Sequence, residues 1–161
     1  MAAVGIALRP NNSFKPNLSR YACQVGLTQA LGVMADNEAI RPLTKDEHAL
    51  ARWMLEHGGP EARDYLSQLD MAAASTWRCE CGCASFNFKI PGRPSAAPGV
   101  HVLGDYTFGD QDHMSGIFVY SSEGTLSGVE VYGLSGPAPA VLPHPSDLRG
   151  ADSPRNEAND T

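Results

Sequence analysis

From residue 43 to residue 71 the apolar residues follow a helical repeat, and beyond residue 71 they follow a strand repeat. This change constrains the fold more than any other feature. An α-helix returns to the same face about every 3.6 residues, whereas a strand changes face at every residue. Two stripes before residue 71 have the i, i+3, i+4, i+7 spacing of an amphipathic helix: Leu50, Trp53, Met54 and His57, then Ala62, Tyr65, Leu66 and Leu69. Each stripe is a single apolar face, so a sheet must supply the other layer of the core.

Local signals mark the ends of these two helices. Thr44 and Glu47 have capping-box spacing at the start of the first helix, and Gly58 lies where a left-handed residue ends it. Pro60 opens the second helix at a position where its missing N–H costs nothing. His57 lies in the last turn of the first helix, where the helix dipole favours a capping or packing role over that of a base.

After residue 71 the apolar residues alternate with polar ones. Strands are predicted at residues 76–81, 86–90, 100–108, 117–120 and 126–134. Gly104 indicates a β-bulge in the third of these, and residues 109–113 indicate a polar turn. Because most connections are short, antiparallel pairing is favoured. The predicted class is α+β, with two N-terminal helices packed on an antiparallel sheet of about five strands arranged as a β-meander.

Composition divides the chain into three parts. Residues 1–40 lack caps and sustained periodicity and are predicted to be a poorly structured extension, residues 41–145 to be one domain, and residues 146–161 to be a disordered tail. Within the extension, NNSFKPNLSRYA followed by VGLTQALG resembles a translated genomic repeat found at the starts of unrelated bacterial reading frames. That resemblance implies that Met34 is the true start and that Cys23 is not functional.

The charge distribution restricts the partners. The chain has a net charge of −6, and because residues 1–33 contain three bases and no acid, residues 34–161 carry −9. Such a field repels phosphate backbones, which argues against nucleic acid and favours a basic protein partner. No run approaches the roughly 20 apolar residues of a membrane span, so a cytoplasmic location is expected.

The segment Cys79-Glu80-Cys81-Gly82-Cys83 concentrates three soft ligands in five residues. Thiolates suit zinc or copper(I) and also exchange with disulfides, but zinc sites usually show a second pair of ligands, and here a fourth would have to come from His57, His101 or His113. If 76–81 is a strand, the sulfurs instead project as core thiols. The sequence favours this dispersed arrangement, with Cys79 or Cys81 buried against the helices, and makes Cys79, Cys81, Cys83 and His113 the candidate ligands if a zinc site exists.

The motif RCECGCASFNF and the later GVEVYGLSG resemble segments of a group of small, uncharacterised bacterial proteins with a CxCGCxS sequence. The resemblance covers residues 43–142. It implies one coherent domain and no particular activity.

Two further acidic features are candidates for metal binding or acid–base chemistry, a cluster near residue 110 and the single residue Glu130. Asp105, Asp110, Asp112 and His113 would supply oxygen ligands or acid–base groups if they shared a cavity, but they lack the glycine and distant glutamate of a calcium loop, which favours a solvated hairpin tip. Glu130 lies between Val129 and Val131 on the last predicted strand, and alternation leaves open whether it is buried or outward-facing.

The sequence contains no GxSxG, GxxxxGK or HExxH motif, so no catalytic residue is assigned and an enzyme is disfavoured. Two functions remain. The first is a non-catalytic protein-binding or accessory module, of immunity-protein type, whose acidic surface engages a basic protein. The alternative is a metal-binding or thiol-redox protein that uses Cys79, Cys81 and Cys83.

Overall fold

The computed structural model describes residues 39–94 and 98–150 of the chain. The helices of this part are α1 (Lys45–Glu56) and α2 (Leu66–Met71), with 3-10 helices at Ala62–Tyr65 and Pro145–Asp147. The strands are β1 (Ile40–Pro42), β2 (Ala73–Ser75), β3 (Phe86–Lys89), β4 (His101–Phe108), β5 (Ser115–Ser122), β6 (Thr125–Gly133) and β7 (Arg149–Gly150). The predicted α+β class is confirmed.

The strands of the described residues form one antiparallel sheet in the order β1-β2-β3-β6-β5-β4-β7. This corrects the prediction in two respects. The sheet has seven strands rather than about five, and β1 precedes α1, so the helices are not both N-terminal to the sheet. The additional edge strands β1 and β7 have three and two residues, too few to show an alternating pattern. The predicted single meander is interrupted, because β3 pairs with β6 and not with β4, and β4, β5 and β6 then pair in chain order.

Helix α1 begins as its sequence predicts. The Thr44 hydroxyl accepts from the Glu47 backbone N–H at 3.1 Å, and the Glu47 carboxylate accepts from the Thr44 N–H at 2.8 Å. Arg41 of β1 donates two hydrogen bonds from its guanidinium nitrogens to the same carboxylate, at 2.6 and 2.7 Å. Burial raises the pKa of Glu47, but the hydrogen bonds from Arg41 and Thr44 outweigh it, and the pKa lies below its ordinary value.

The end of α1 differs from the prediction. The C-cap is His57, and Gly58 does not have the expected positive φ. Glycine is required there for another reason, since a Cβ at Gly58 would lie 2.4 Å from the Leu103 carbonyl oxygen of β4. The neighbouring Gly59 N–H donates to that same oxygen at 2.7 Å, which docks the end of α1 on the sheet.

The second apolar stripe forms the 3-10 turn and α2 rather than one α-helix starting at Pro60. The helices and the inner face of the sheet enclose the core, whose fully buried large side chains include Leu50, Met54, Leu55, Leu69, Phe86, Leu103, Ile117, Leu126, Val119, Val129 and Val131.

Four of the five predicted strands correspond to β3, β4, β5 and β6, and the predicted bulge is present as a register shift in β4 between Val102 and Gly104. The predicted strand at 76–81 is wrong. The strand here is β2, three small residues immediately before it, and residues 76–85 form the connection to β3.

The predicted domain end at residue 145 falls at the start of a 3-10 helix, and the chain continues into β7, which pairs with β4. Leu148 is 8% exposed and belongs to the core, so a residue beyond the predicted end is part of the fold. The predictions for the extension up to residue 38, including Met34 and Cys23, and for residues 151–161 lie outside the described residues.

Candidate metal centre

The connection between β2 and β3, residues 76–85, carries the three clustered cysteines; we call it the cysteine loop. Near its start, the Trp77 N–H donates to the Ser75 hydroxyl at 3.2 Å. A turn then follows in which the Gly82 N–H donates to the Cys79 carbonyl at 3.0 Å. Gly82 has φ +80°, a conformation that favours glycine, and this residue reverses the chain that alternation alone would continue as a strand.

The turn brings the three sulfurs together. The Sγ atoms of Cys79 and Cys81 are 2.9 Å apart, and those of Cys79, Cys81 and Cys83 all lie within 4.8 Å of one another. The expected dispersed arrangement is therefore wrong. Its premise was an extended chain, in which residues two apart are separated by about 6.6 Å, and the turn removes that premise.

The three cysteines have different surroundings. Cys83 is 6% exposed, whereas Cys79 is half-buried and Cys81 is exposed, so the expectation of a buried Cys79 or Cys81 does not hold. Burial raises the pKa of the Cys83 thiol to about 11, and hydrogen bonding with Ser85 offsets part of that rise.

Ser85 anchors the buried end of the loop to the sheet. Its hydroxyl accepts from the Cys83 thiol at 3.2 Å and from the Val131 N–H of β6 at 2.9 Å. The next residue back, Ala84, donates its N–H to the Pro139 carbonyl at 3.0 Å. Cys83 is thus held by two segments far away in the sequence, while Cys79 and Cys81 lie on the exposed side of the turn.

Glu130 of β6 lies beside this loop. It is half-buried, and burial raises its pKa to about 7, with a hydrogen bond from Ser85 opposing the shift and the charge of Cys81 adding to it. Tyr120 of β5 is also affected, since burial and the nearby Glu130 raise its pKa to about 12. Periodicity left open whether Glu130 is buried or outward-facing, and the structure shows a half-buried acid beside the cysteine loop.

A cavity of about 630 Å³ opens next to the buried end of the loop. Its walls come from the start of α1, the cysteine loop and residues 140–145, and they include Thr44, Glu47, Arg78, Cys83, Leu142 and His144. His144 was not identified from the sequence, because an isolated histidine in a proline-rich segment shows no ligand spacing. Its Nδ1 lies 2.8 Å from the Ser146 hydroxyl.

The three histidines proposed as a fourth ligand have other contacts. The His57 ring stacks on Trp53 with centroids 4.2 Å apart, and its Nδ1 donates to the Trp53 carbonyl at 2.8 Å. His101 contacts Glu61 at 2.6 Å, and His113 contacts Asp110 at 3.2 Å. In the described part of the chain, the group that brings ligand atoms within 4.8 Å consists of the three cysteines, without His113.

The acidic residues of the β4–β5 turn form a separate, exposed structure. The Asp110 carboxylate accepts from the backbone N–H groups of Asp112 and His113, at 3.1 and 2.8 Å. The bond from the His113 N–H is the main reason that the pKa of Asp110 lies below its ordinary value. Asp105 lies apart on β4, where it accepts from the Tyr132 hydroxyl at 3.3 Å. Asp110 and Asp112 are exposed, as expected for a solvated hairpin tip.

No protein-family model, curated protein or solved structure matches this chain. None of the helices in the described residues has the length and apolar character needed to span a membrane.

Proposed function

We propose that the protein binds a soft metal ion through the thiolates of Cys79, Cys81 and Cys83. The observation that carries this proposal is the convergence of three sulfurs within 4.8 Å of one another, from three residues whose turn is closed by Gly82. Thiolate ligands select zinc, copper(I) and iron–sulfur centres over hard cations. Core packing alone does not require such convergence, since Cys81 is exposed.

The arrangement requires little movement to hold an ion. Zinc–sulfur bonds of about 2.3 Å in a tetrahedral shell place the sulfurs about 3.8 Å apart. The Cys79–Cys81 pair, now at 2.9 Å, must open by about 0.9 Å, and both residues lie on the exposed side of the turn, where such a shift is easy.

The number of ligands favours particular ions. Three thiolates complete a trigonal copper(I) shell, whereas zinc needs a fourth donor. Since no histidine or carboxylate of the described residues joins the group within 4.8 Å, zinc would take water as its fourth ligand. Binding must also displace the proton of Cys83, whose pKa is raised to about 11, so we expect affinity to increase with pH.

The test is metal analysis of the full chain purified without an affinity tag, followed by titration with zinc and with copper(I) against a coloured chelator. We expect one ion per chain, and loss of that ion in Cys79→Ser. Cys23→Ser is the matched control, because it removes a thiol that lies outside the Cys79–Cys83 segment of the sequence. Less than about a tenth of an equivalent of zinc, copper or iron after reconstitution would contradict the proposal.

The accessory, immunity-like module with a basic protein partner stays a hypothesis supported by the net charge of −9 over residues 34–161. A pull-down that recovers a basic protein, with affinity that decreases as salt is added, is the result expected from it. The two functions are compatible, since a protein-binding surface and the cysteine loop need not coincide.

A further inference from the structure

We propose that Cys79 and Cys81 act as a dithiol that exchanges with small-molecule disulfides, and that closure of the Cys79–Cys81 disulfide displaces the bound metal ion. The exchange activity stands without a metal. The displacement rests on the proposed function.

The geometry of the turn carries the first part. With the two sulfurs 2.9 Å apart, formation of a bond of about 2.05 Å requires a movement of about 0.9 Å. The turn between Cys79 and Gly82 holds the pair together before any reaction, so closing the ring costs little additional chain entropy.

Unequal access decides which sulfurs react. Cys81 is exposed and Cys79 is half-buried. Cys83 is 6% exposed, and its thiol donates a hydrogen bond to the Ser85 hydroxyl. Disulfide exchange needs an accessible thiolate. Cys81 is therefore the attacking residue, Cys79 resolves the mixed disulfide, and Cys83 remains a thiol.

The reaction has two balanced steps. The Cys81 thiolate attacks one sulfur of a disulfide such as oxidised glutathione, forms a protein–glutathione disulfide and expels one glutathione thiolate. The Cys79 thiolate then attacks Cys81 Sγ and expels the second glutathione thiolate. The protein loses two electrons and two protons, and one disulfide is reduced to two thiols.

The oxidised loop cannot keep the ion. A disulfide removes Cys79 and Cys81 as thiolate ligands and leaves only Cys83, in a cluster to which the described residues contribute no further histidine or carboxylate. Metal and disulfide are thus exclusive states of one loop.

The experiment uses the full chain carrying Cys23→Ser, so that every remaining thiol belongs to the loop. Metal-free protein is incubated with oxidised glutathione, the thiols are blocked by alkylation, and peptides are mapped by mass spectrometry. We expect a Cys79–Cys81 disulfide, with Cys83 remaining a thiol. In the folded, reduced protein, we expect Cys83 to be alkylated about tenfold or more slowly than Cys81.

Two variants distinguish exchange from simple modification. With Cys79→Ser, glutathione should remain on Cys81, because the resolving thiol is gone. With Cys81→Ser, the Cys79 adduct should form more slowly, since Cys79 is less accessible. A thermal unfolding transition in both variants verifies that each is folded. A disulfide that includes Cys83, or a stable glutathione adduct on Cys81 despite an intact Cys79, would overturn the proposal.

The displacement is measured separately on zinc-loaded protein, with a zinc-sensitive dye present during oxidation. Zinc release in step with disulfide formation supports the coupling, and a disulfide that forms while zinc stays bound overturns it. If the chain binds no ion, the proposed function fails, but the disulfide in metal-free protein still decides the exchange activity.

Discussion

In the part of the chain that the structure describes, two turns are rich in ligating residues, and they are built in opposite ways. At the β4–β5 tip, the Asp110 carboxylate accepts hydrogen bonds from the N–H groups of its own turn, and Asp110 is exposed to solvent. In the cysteine loop, Cys83 is anchored through Ser85 to a distant strand, and the other two sulfurs are folded back towards it. The difference shows that suitable residue types form a candidate site only when the surrounding structure brings their ligand atoms close together.

Removal of one candidate ligand from each turn should separate the two turns most clearly. Cys83→Ser should lower metal affinity by at least about 100-fold, because it removes one of three thiolates. Asp112→Asn should leave affinity unchanged. Competition with a chelator measures both, and equal effects would mean that the cysteine loop is not the binding site.

The anchor of the cysteine loop gives the next largest effect. Ser85→Ala removes the acceptor of the buried Val131 N–H, and we expect a loss of about 1 to 3 kcal/mol in unfolding free energy. Metal affinity should decrease by about tenfold, as for other residues that position a ligand. Denaturant titration and chelator competition measure the two quantities. Unchanged metal affinity would show that Cys83 does not depend on Ser85 for its position.

Each of the two turns contains a glycine with positive φ, and the same substitution should affect the two differently. Gly82→Ala places a side chain at φ +80° with no atom within 4 Å of its Cβ, so the cost is backbone strain alone, about 1 to 2 kcal/mol. Gly109→Ala at the tip adds a contact of 2.3 Å with the His113 carbonyl and should cost more. Only Gly82→Ala should also weaken metal binding. Thermal unfolding and metal titration of both variants test this pair.

The smallest effect concerns pH in the metal-free protein. Because the pKa of Glu130 is raised to about 7 in the folded state, the folded chain binds its proton more tightly than the unfolded chain does. The resulting stabilisation is complete below the ordinary glutamate pKa and is lost as the pH rises towards about 7. Glu130→Gln should therefore flatten the decrease in stability over that window. Asp110, with its lowered pKa, acts in the opposite direction, and Asp110→Asn should not flatten the decrease.

Sequence reasoning was most successful where a signal is local. The capping box at Thr44 and Glu47 and the bulge at Gly104 depend on neighbours in the chain, and both are present. It failed where pairing depends on distant residues. Ala73–Ser75 is a strand because Arg41 and its neighbours pair with one side and β3 with the other, and nothing in three small residues indicates this.

The candidate site was predictable in its residues but not in its geometry. Cys79, Cys81 and Cys83 are evident from spacing, whereas their convergence depends on a single positive φ at Gly82. Alternation of Trp77, Cys79 and Cys81 suggested a strand. The same alternation is equally compatible with a turn, so it does not distinguish the two. Glu130 lies beside the cysteine loop because β3, which follows the loop, pairs with β6. The order of strands in the sheet cannot be seen in the sequence pattern.

The anchoring of Cys83 through Ser85 also has a consequence for how the protein is made. Ser85 binds Val131, 46 residues later in the chain, and Ala84 binds Pro139 beyond it. During synthesis the three cysteines therefore leave the ribosome well before the strand that fixes them exists. Closing a loop of this length is a slow, non-local step compared with forming α1. The nascent chain therefore presents Cys83 before the sheet that buries and anchors it has formed.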